Sequence, residues 1–326
     1  MKAKNIALTA ALGDYDQHRS LILGAVQPAG IDLTVLPMRS QERHWRMMRH
    51  REFDIAELSM SSYLIAKSRQ LADWIAIPVF PHRRFRHSYI FVNPQRGLRS
   101  ARDLEGRRIG LRTWQATMGV WVRGILQEHY GVDIRSIEWV TQDREVLDVD
   151  FPPDFRICRV PAGTDVDQML RQGELDGLIY PDLIRSFLDG EPHIARFFPD
   201  YKQEEIRYYR QTGHFPIMHT VVIRSEVLEA YPWVAENLLQ AFRQSQEDAW
   251  RRMEDPRTIS LAWVRELIEE ERAILGTNPW PIGLESNRKT LETLMRYSCD
   301  QGMIRGMMPV EELFFPATLD RCPAYL

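Results

Sequence analysis

The chain has 326 residues, 44% of them hydrophobic, which excludes a disordered or fibrous protein and is enough to build two lobes around buried cores. Lys and Arg total 42 against 45 Asp and Glu, a formal net charge of -3, so nothing global favours nucleic acid or an anionic membrane, and recognition of charge must be local. No segment is long and apolar enough to span a bilayer. Short apolar runs alternate with longer amphipathic stretches throughout, the pattern of an α/β fold with parallel sheets covered by helices.

The amino terminus is basic and then mildly apolar, but its apolar run is broken by Thr9 and by Gly13-Asp14-Tyr15-Asp16. It lacks the longer apolar segment and small-residue cleavage site of a secretory signal, so residues 5–12 read as the first strand and the protein is expected to be cytoplasmic. Residues 31–37 read as a second strand. Residues 40–50 read as a helix with Trp45 and Met48 on one face, followed by a short strand, 53–57. Another helix is expected to start near Ser59 to Ser62, whose hydroxyls can cap free backbone N–H groups. An apolar strand, 87–93, suggests a change of lobe. Beyond it come a tight turn and strand at 104–111, a helix from about Gln115 to Tyr130, and further alternation to 175–180. Residues 213–223 read as the return crossover, and 226–253 and 258–275 as amphipathic helices covering the first lobe. The expected lobes are therefore 1–92 with 217–326, and 93–216. Cys158, Cys299 and Cys322 are odd in number, widely spaced and without a C-x-x-C, which suits reduced thiols.

Candidate ligand contacts gather at expected strand ends. Arg112 follows a strand and precedes a helix whose amino end carries Gln115 and Thr117, a place where N–H groups and the helix dipole favour an anion. Its planar fork suits a carboxylate, although a solvated turn residue would look the same. The densest basic run is Pro81-His-Arg-Arg-Phe-Arg-His87. If extended, His82, Arg84 and Arg86 share one face and Arg83, Phe85 and His87 the other. Arg86 and His87, nearest the crossover, are the preferred contacts there, with His82 third. Glu57 sits at a strand end beside Ser59, Ser61 and Ser62, where open α/β sheets place ligands; it can act as a base, orient a histidine, or cap the next helix. His214 and His219 flank Phe-Pro-Ile-Met at the return crossover, and either serves as a proton carrier or as a packed structural histidine. Trp114, Trp121, Tyr63 and Phe215 can stack on an aromatic ring or belong to the core. The nine histidines show no H-x-H or H-E-x-x-H pattern, and His82/His87 and His214/His219, each five apart, fall on different faces of strand or helix. No metal and no cofactor are expected: there is no phosphate-cradling Gly-rich loop, nucleophile elbow or dinucleotide fingerprint.

The segments Asp103-Leu-Glu-Gly-Arg-Arg-Ile-Gly110 and Gln172-Gly-Glu-Leu-Asp-Gly177 resemble the type II periplasmic-binding-protein fold, which implies two lobes with a ligand cleft between them. A more specific likeness is carried by Phe53-Asp-Ile-Ala-Glu-Leu-Ser-Met-Ser-Ser-Tyr63, Pro78-Val-Phe-Pro-His-Arg-Arg-Phe-Arg-His-Ser88, Trp121-Val-Arg-Gly-Ile-Leu126, Tyr208-Tyr-Arg-Gln-Thr-Gly213, Phe215-Pro-Ile-Met-His219 and Trp280-Pro-Ile-Gly283. These segments span nearly the whole chain and resemble the 4,5-dihydroxyphthalate decarboxylase family. The resemblance implies loss of one carboxylate from a hydroxylated aromatic diacid, giving a hydroxybenzoate and carbon dioxide, and it favours His219 over His214. The small aromatic carboxylate is then the expected partner, and a homo-oligomer is compatible with the sequence. Two other readings stay open: a non-catalytic solute-binding protein for an aromatic or other small organic anion, and an enzyme using the same cleft on a heteroaromatic substrate.

Overall fold

A computed structural model describes residues 5–148 and 150–319; Cys322 lies outside them. The strands, in chain order, are β1 (Ile6–Leu12), β2 (Ile31–Pro37), β3 (Ile55–Ser59), β4 (Trp74–Ile77), β5 (Ile90–Val92), β6 (Arg108–Leu111), β7 (Glu138–Thr141), β8 (Arg156–Arg159), β9 (Gly177–Ile179), β10 (Ala195–Arg196) and β11 (His219–Arg224). The helices that position the candidate residues are α1 (Ser40–His50), α2 (Met60–Ser68), α3 (Thr117–Tyr130) and α4 (Val234–Glu254).

The chain divides into two compact units, residues 5–83, 217–291 and 308–319 in the first and 84–216 with 292–307 in the second. The first passage therefore falls between Arg83 and Arg84, earlier than the expected boundary at 92, and 292–307 leaves the lobe to which the sequence reading gave it. Arg83 is tied into the first unit by a bridge to Ile217 and by its guanidinium, which donates to Asn287 and to the Pro281 carbonyl. Gln301 joins the second because it bonds both Arg123 and the Val120 carbonyl of α3.

In the first unit the sheet order is β2-β1-β3-β11-β4. β1 runs parallel to β2 and β3, while β11 returns antiparallel to β3 and β4. α4 lays Leu238, Leu239 and Phe242 against Leu8, Ala10, Val221 and Ile223, so the i, i+1, i+4 stripe of this helix supplies one wall of the core. The expected helix 226–253 is in fact two, because Tyr231, placed before Pro232, leaves the helical region (φ -140°, ψ 72°). The expected helix 258–275 begins only at Val264. On α1 the buried residues are Arg43, His44, Met47 and Met48, whereas Trp45 is 39% exposed. Trp45 and Met48, expected on one face, thus part, with Met48 packed inward and Trp45 outside. β3 is buried along all five residues, yet two of them are Glu57 and Ser59, and polar groups in such a strand need partners.

In the second unit the sheet order is β10-β5-β9-β6-β7-β8. β6, β7, β8 and β9 are parallel, with β5 antiparallel to β9 at the edge beside β10. The expected strand over 87–93 shortens to β5 because His87–Tyr89 form a single 3₁₀ turn.

Tyr63 is wholly buried on α2, and its hydroxyl donates to the Leu313 carbonyl (2.5 Å) while accepting from the Ala76 N–H (3.1 Å). It is a strut of the first unit rather than a ring-stacking surface. Tyr63→Phe leaves two buried backbone groups without their partner and is expected to cost about 1–3 kcal/mol, read as a lower urea midpoint with unchanged m-value.

Candidate functional site

The register of β3 and β11 builds the first cluster. His219 lies directly opposite Ser59 and Val221 opposite Glu57, so the His219 and Glu57 side chains are diagonal neighbours on one face. His219 Nδ1 lies 2.5 Å from Glu57 Oε1. That carboxylate is fully buried and also takes Arg43 Nη2 at 2.8 Å, the Tyr15 hydroxyl at 2.9 Å and the Gly13 N–H at 2.8 Å. Arg43 is aligned by its Nε donating to the Glu57 carbonyl and its Nη1 to the Met38 carbonyl. Gly13 is required where β1 ends: a Cβ there would sit 2.3 Å from the Tyr15 ring and push it off Glu57.

Three further imidazoles surround this ion pair. His44 and His82 meet the His219 ring edge to face at 4.8 and 4.7 Å, Tyr15 stacks on His82 at 5.8 Å, and His18 bonds the Gly13 carbonyl. Burial opposes ionisation of Glu57, but the charge of Arg43 and the His219 contact prevail and hold its carboxyl well below the usual carboxylate range. Burial, reinforced by the nearby charges of His219 and Arg43, keeps His44 well below the ordinary imidazole range. Burial, then Glu57, pushes the Tyr15 phenol up. The expected Glu57, His82 and His219 are thus brought together. Tyr15, His18, Arg43 and His44 were missed. The signal for Arg43 and His44 was their place at i and i+1 beside Met47 and Met48, in an apolar stripe where polar residues are out of pattern.

Ser59, Ser61 and Ser62 adjoin the same strand end, their hydroxyls linked at 3.2–3.4 Å. Ser59 does not cap α2 with its side chain, because its hydroxyl is engaged with the other two. Glu57 is likewise not a helix cap but the centre of the ion pair.

The second cluster stands at the carboxyl ends of β6, β7 and β9. Arg112 Nε pairs with Asp143 (2.9 Å), and the guanidinium lies 5.8 Å from the Tyr180 ring. Arg86 is buried and its Nη1 donates to the Pro181 carbonyl, so both arginines border the segment that leaves β9. Burial and the neighbouring Arg84 lower Arg86 to about 10. The run 82–87 is not an extended strand with one wet face: Arg83 and Arg86 are buried and Arg84 is exposed. Ahead of α3, the Trp114 and Gln115 N–H groups are already taken by the buried Glu145 carboxylate at 2.7 and 3.1 Å. This corrects the expectation of an anion site on that turn, for the protein supplies its own anion. Gln115 is fastened to Leu147 and Thr117 is buried at the helix start. Trp114 is core, packed on Trp139, Phe155 and the Arg123 guanidinium.

His87 and His214 occupy packed positions in the second unit. His214 Nε2 meets Thr293 at 3.2 Å beside Trp121 and Tyr208, and Phe215 stacks on Phe85 at 4.7 Å. His87 is enclosed by Tyr130, Phe198 and Tyr208, and neither ring nitrogen has a hydrogen-bond partner among the described residues. Burial, with Arg207 and His129, lowers it to about 4. A separate cavity of about 340 Å³ in the first unit is lined by Asp14, Tyr15, Asp16, Arg19 and Arg252 among others. It meets the Glu57 cluster only through Tyr15, and its mixed charges select no anion.

Two outcomes are expected from this geometry. Glu57→Gln strands the buried Arg43 charge and should destabilise by about 3–5 kcal/mol, whereas Glu57→Leu combined with Arg43→Met should recover much of that loss; urea titration of the three proteins checks this. His87 favours the neutral form when folded, so its contribution is complete above pH ~6.5 and is lost as pH falls toward 4. With ordinary and folded values of 6.5 and about 4, the loss is about 3 kcal/mol. His87→Phe should remove that part of the pH dependence, and a stability profile parallel to wild type between pH 7 and 4 would contradict it.

Residues 25–149 match a family model described as "ABC transporter, phosphonate, periplasmic substrate-binding protein". Among curated proteins the chain is 33% identical over 323 residues to a Comamonas testosteroni protein named 4,5-dihydroxyphthalate decarboxylase, covering 97% of this chain and 98% of that one. It is 35% identical over 213 residues to a Pseudomonas putida protein of the same name, covering 64% and 83%. Among solved structures it resembles a periplasmic sulfonate-binding protein of Methylobacillus flagellatus KT, with TM-score 0.59 at 14% identity over 97% of this chain and 93% of that chain. The periplasmic aliphatic sulphonate binding protein of Escherichia coli gives TM-score 0.57 at 11% identity over 97% and 99%. The fold is of the type II periplasmic-binding-protein kind.

Proposed function

The chain belongs to the 4,5-dihydroxyphthalate decarboxylase family, and from that premise we propose that it removes one carboxylate from a hydroxylated aromatic diacid such as 4,5-dihydroxyphthalate. The products are a dihydroxybenzoate and carbon dioxide, and no cofactor takes part. The observation that carries this reading is the 2.5 Å contact between His219 Nδ1 and the buried, ionised Glu57. A carboxylate on one ring nitrogen fixes the tautomer and stabilises the imidazolium, which equips the other nitrogen, Nε2, to deliver a proton.

In this mechanism His219 Nε2 gives its proton to the ring carbon that bears the departing carboxylate. A hydroxyl para to that carbon feeds electron density into the ring as the new C–H bond forms. The bond to the carboxylate then breaks, its electron pair restores aromaticity, and carbon dioxide leaves; solvent reprotonates His219. In 4,5-dihydroxyphthalate each carboxylate has a para hydroxyl, so the two are equivalent. Within the second unit, Arg112, its Nε held by Asp143, and Arg86 are the proposed carboxylate contacts. Ser59, Ser61 and Ser62 are proposed polar contacts for the ring substituents.

The test mixes purified protein with 4,5-dihydroxyphthalate, with and without chelator, and follows carbon dioxide release and the ultraviolet spectrum of the ring. Turnover is expected. His219→Gln should lower kcat by about 10²–10⁴-fold with binding nearly intact, and Arg112→Ala should chiefly raise KM. Equal kcat in His219→Gln and wild type rejects the proton-donor role. Saturable binding without turnover, in wild type and across a panel of aromatic acids, favours the solute-binding reading instead.

A further inference from the structure

We infer that His44 is the specificity-determining residue that recognises a ring hydroxyl of the substrate, because its Nε2 is buried beside His219 without any hydrogen-bond partner among the described residues. This rests on Glu57 and His219 being the reaction centre and names what else that centre reads. His44 is 8% exposed, and a buried ring nitrogen with no partner costs stability of about 1–3 kcal/mol, so it marks a place where a ligand atom or a water completes the bonding. α1 presents Arg43 and His44 side by side to β3 and β11, and the His44 ring stands perpendicular to that of His219, 4.8 Å away at 88°.

The chemistry of the surroundings chooses the ligand group. A substrate carboxylate brought against His44 would be desolvated facing a ring that burial and the nearby charges of His219 and Arg43 hold neutral, so Nε2 itself offers it no charged partner. A hydroxyl carries no charge and both donates and accepts. It therefore pairs with Nε2 in either tautomer of a neutral imidazole. Burial and the nearby positive groups keep His44 neutral, while His219 is held by a carboxylate. Two adjacent histidines in unlike surroundings are thus suited to unlike tasks, one to the hydroxyl and one to the proton.

A buried group built to bond a hydroxyl discriminates strongly against an analogue that lacks it, since that analogue leaves the group unpaired. Isothermal titration with 3,4-dihydroxybenzoate and with benzoate reads this directly and needs no turnover. Wild type should prefer the dihydroxy acid by about 100-fold or more. His44→Leu should reduce the preference below about tenfold with benzoate affinity little changed, and His44→Gln, whose amide reaches the Nε2 position, should retain most of it. A merely structural role would weaken both ligands together. Should His44→Leu fail to fold, the ¹⁵N resonance of His44 Nε2 in wild type decides: it should move with 3,4-dihydroxybenzoate and not with benzoate. An unchanged preference in His44→Leu, or an Nε2 resonance that both acids leave alone because only water fills the place, overturns the inference. Absence of carbon dioxide release from 4,5-dihydroxyphthalate would instead remove the decarboxylase reading and leave the hydroxyl preference standing.

Discussion

Everything in the first unit's candidate site depends on keeping one carboxylate ionised inside a sheet. Glu57 lies in the middle of β3, buried on both faces, and an isolated charge there would cost several kcal/mol. It is tolerated because four partners arrive from three places: Gly13 and Tyr15 from the end of β1, Arg43 from α1, and His219 from β11. These places are far apart in sequence, so the carboxylate acts as a test of the first unit's topology. A one-residue slip of β11 against β3 would turn His219 to the opposite face and leave Glu57 short of a partner. The ion pair is therefore weak evidence for net stability and strong evidence for a defined register.

The sequence made the architecture legible wherever periodicity spoke. β1, β2 and α1 were read within a residue of their observed ends, since alternation and the 3.6-residue stripe survive burial. It was less informative about which polar residues turn inward. On α1, Trp45 and Met48 were read as sharing a face, but Met48 packs inward beside Arg43 and His44 while Trp45 stays out. Between 82 and 87 no period exists to read, and the fates of Arg83, Arg84 and Arg86 are decided by partners at Asn287, Tyr89 and Pro181. Glu145 shows the same limit from the other side. It occupies two N–H groups some thirty residues upstream, and no local pattern announces a contact set by the parallel pairing of β6 with β7.

The two units solve the placement of charge in different ways. At the carboxyl end of β9 the second unit offers guanidinium groups, Arg112 set by Asp143 and Arg86 by a backbone carbonyl; such fixed cations are what any receptor for a small organic anion requires. The first unit offers a buried acid–base assembly: an ionised carboxylate, an imidazole on it, and a second imidazole with a nitrogen that has no hydrogen-bond partner among the described residues. For a protein that only holds and releases its ligand, that assembly is a cost without a return, because a serine or a backbone N–H recognises an anion without burying Glu57 or stranding His44. Proton delivery to a carbon, by contrast, needs an imidazolium stabilised in a fixed tautomer, and a hydroxyl poised to feed the ring needs a neutral partner nearby. The expense of the Glu57 cluster is thus itself an argument for chemistry, on a fold whose architecture alone is equally suited to transport.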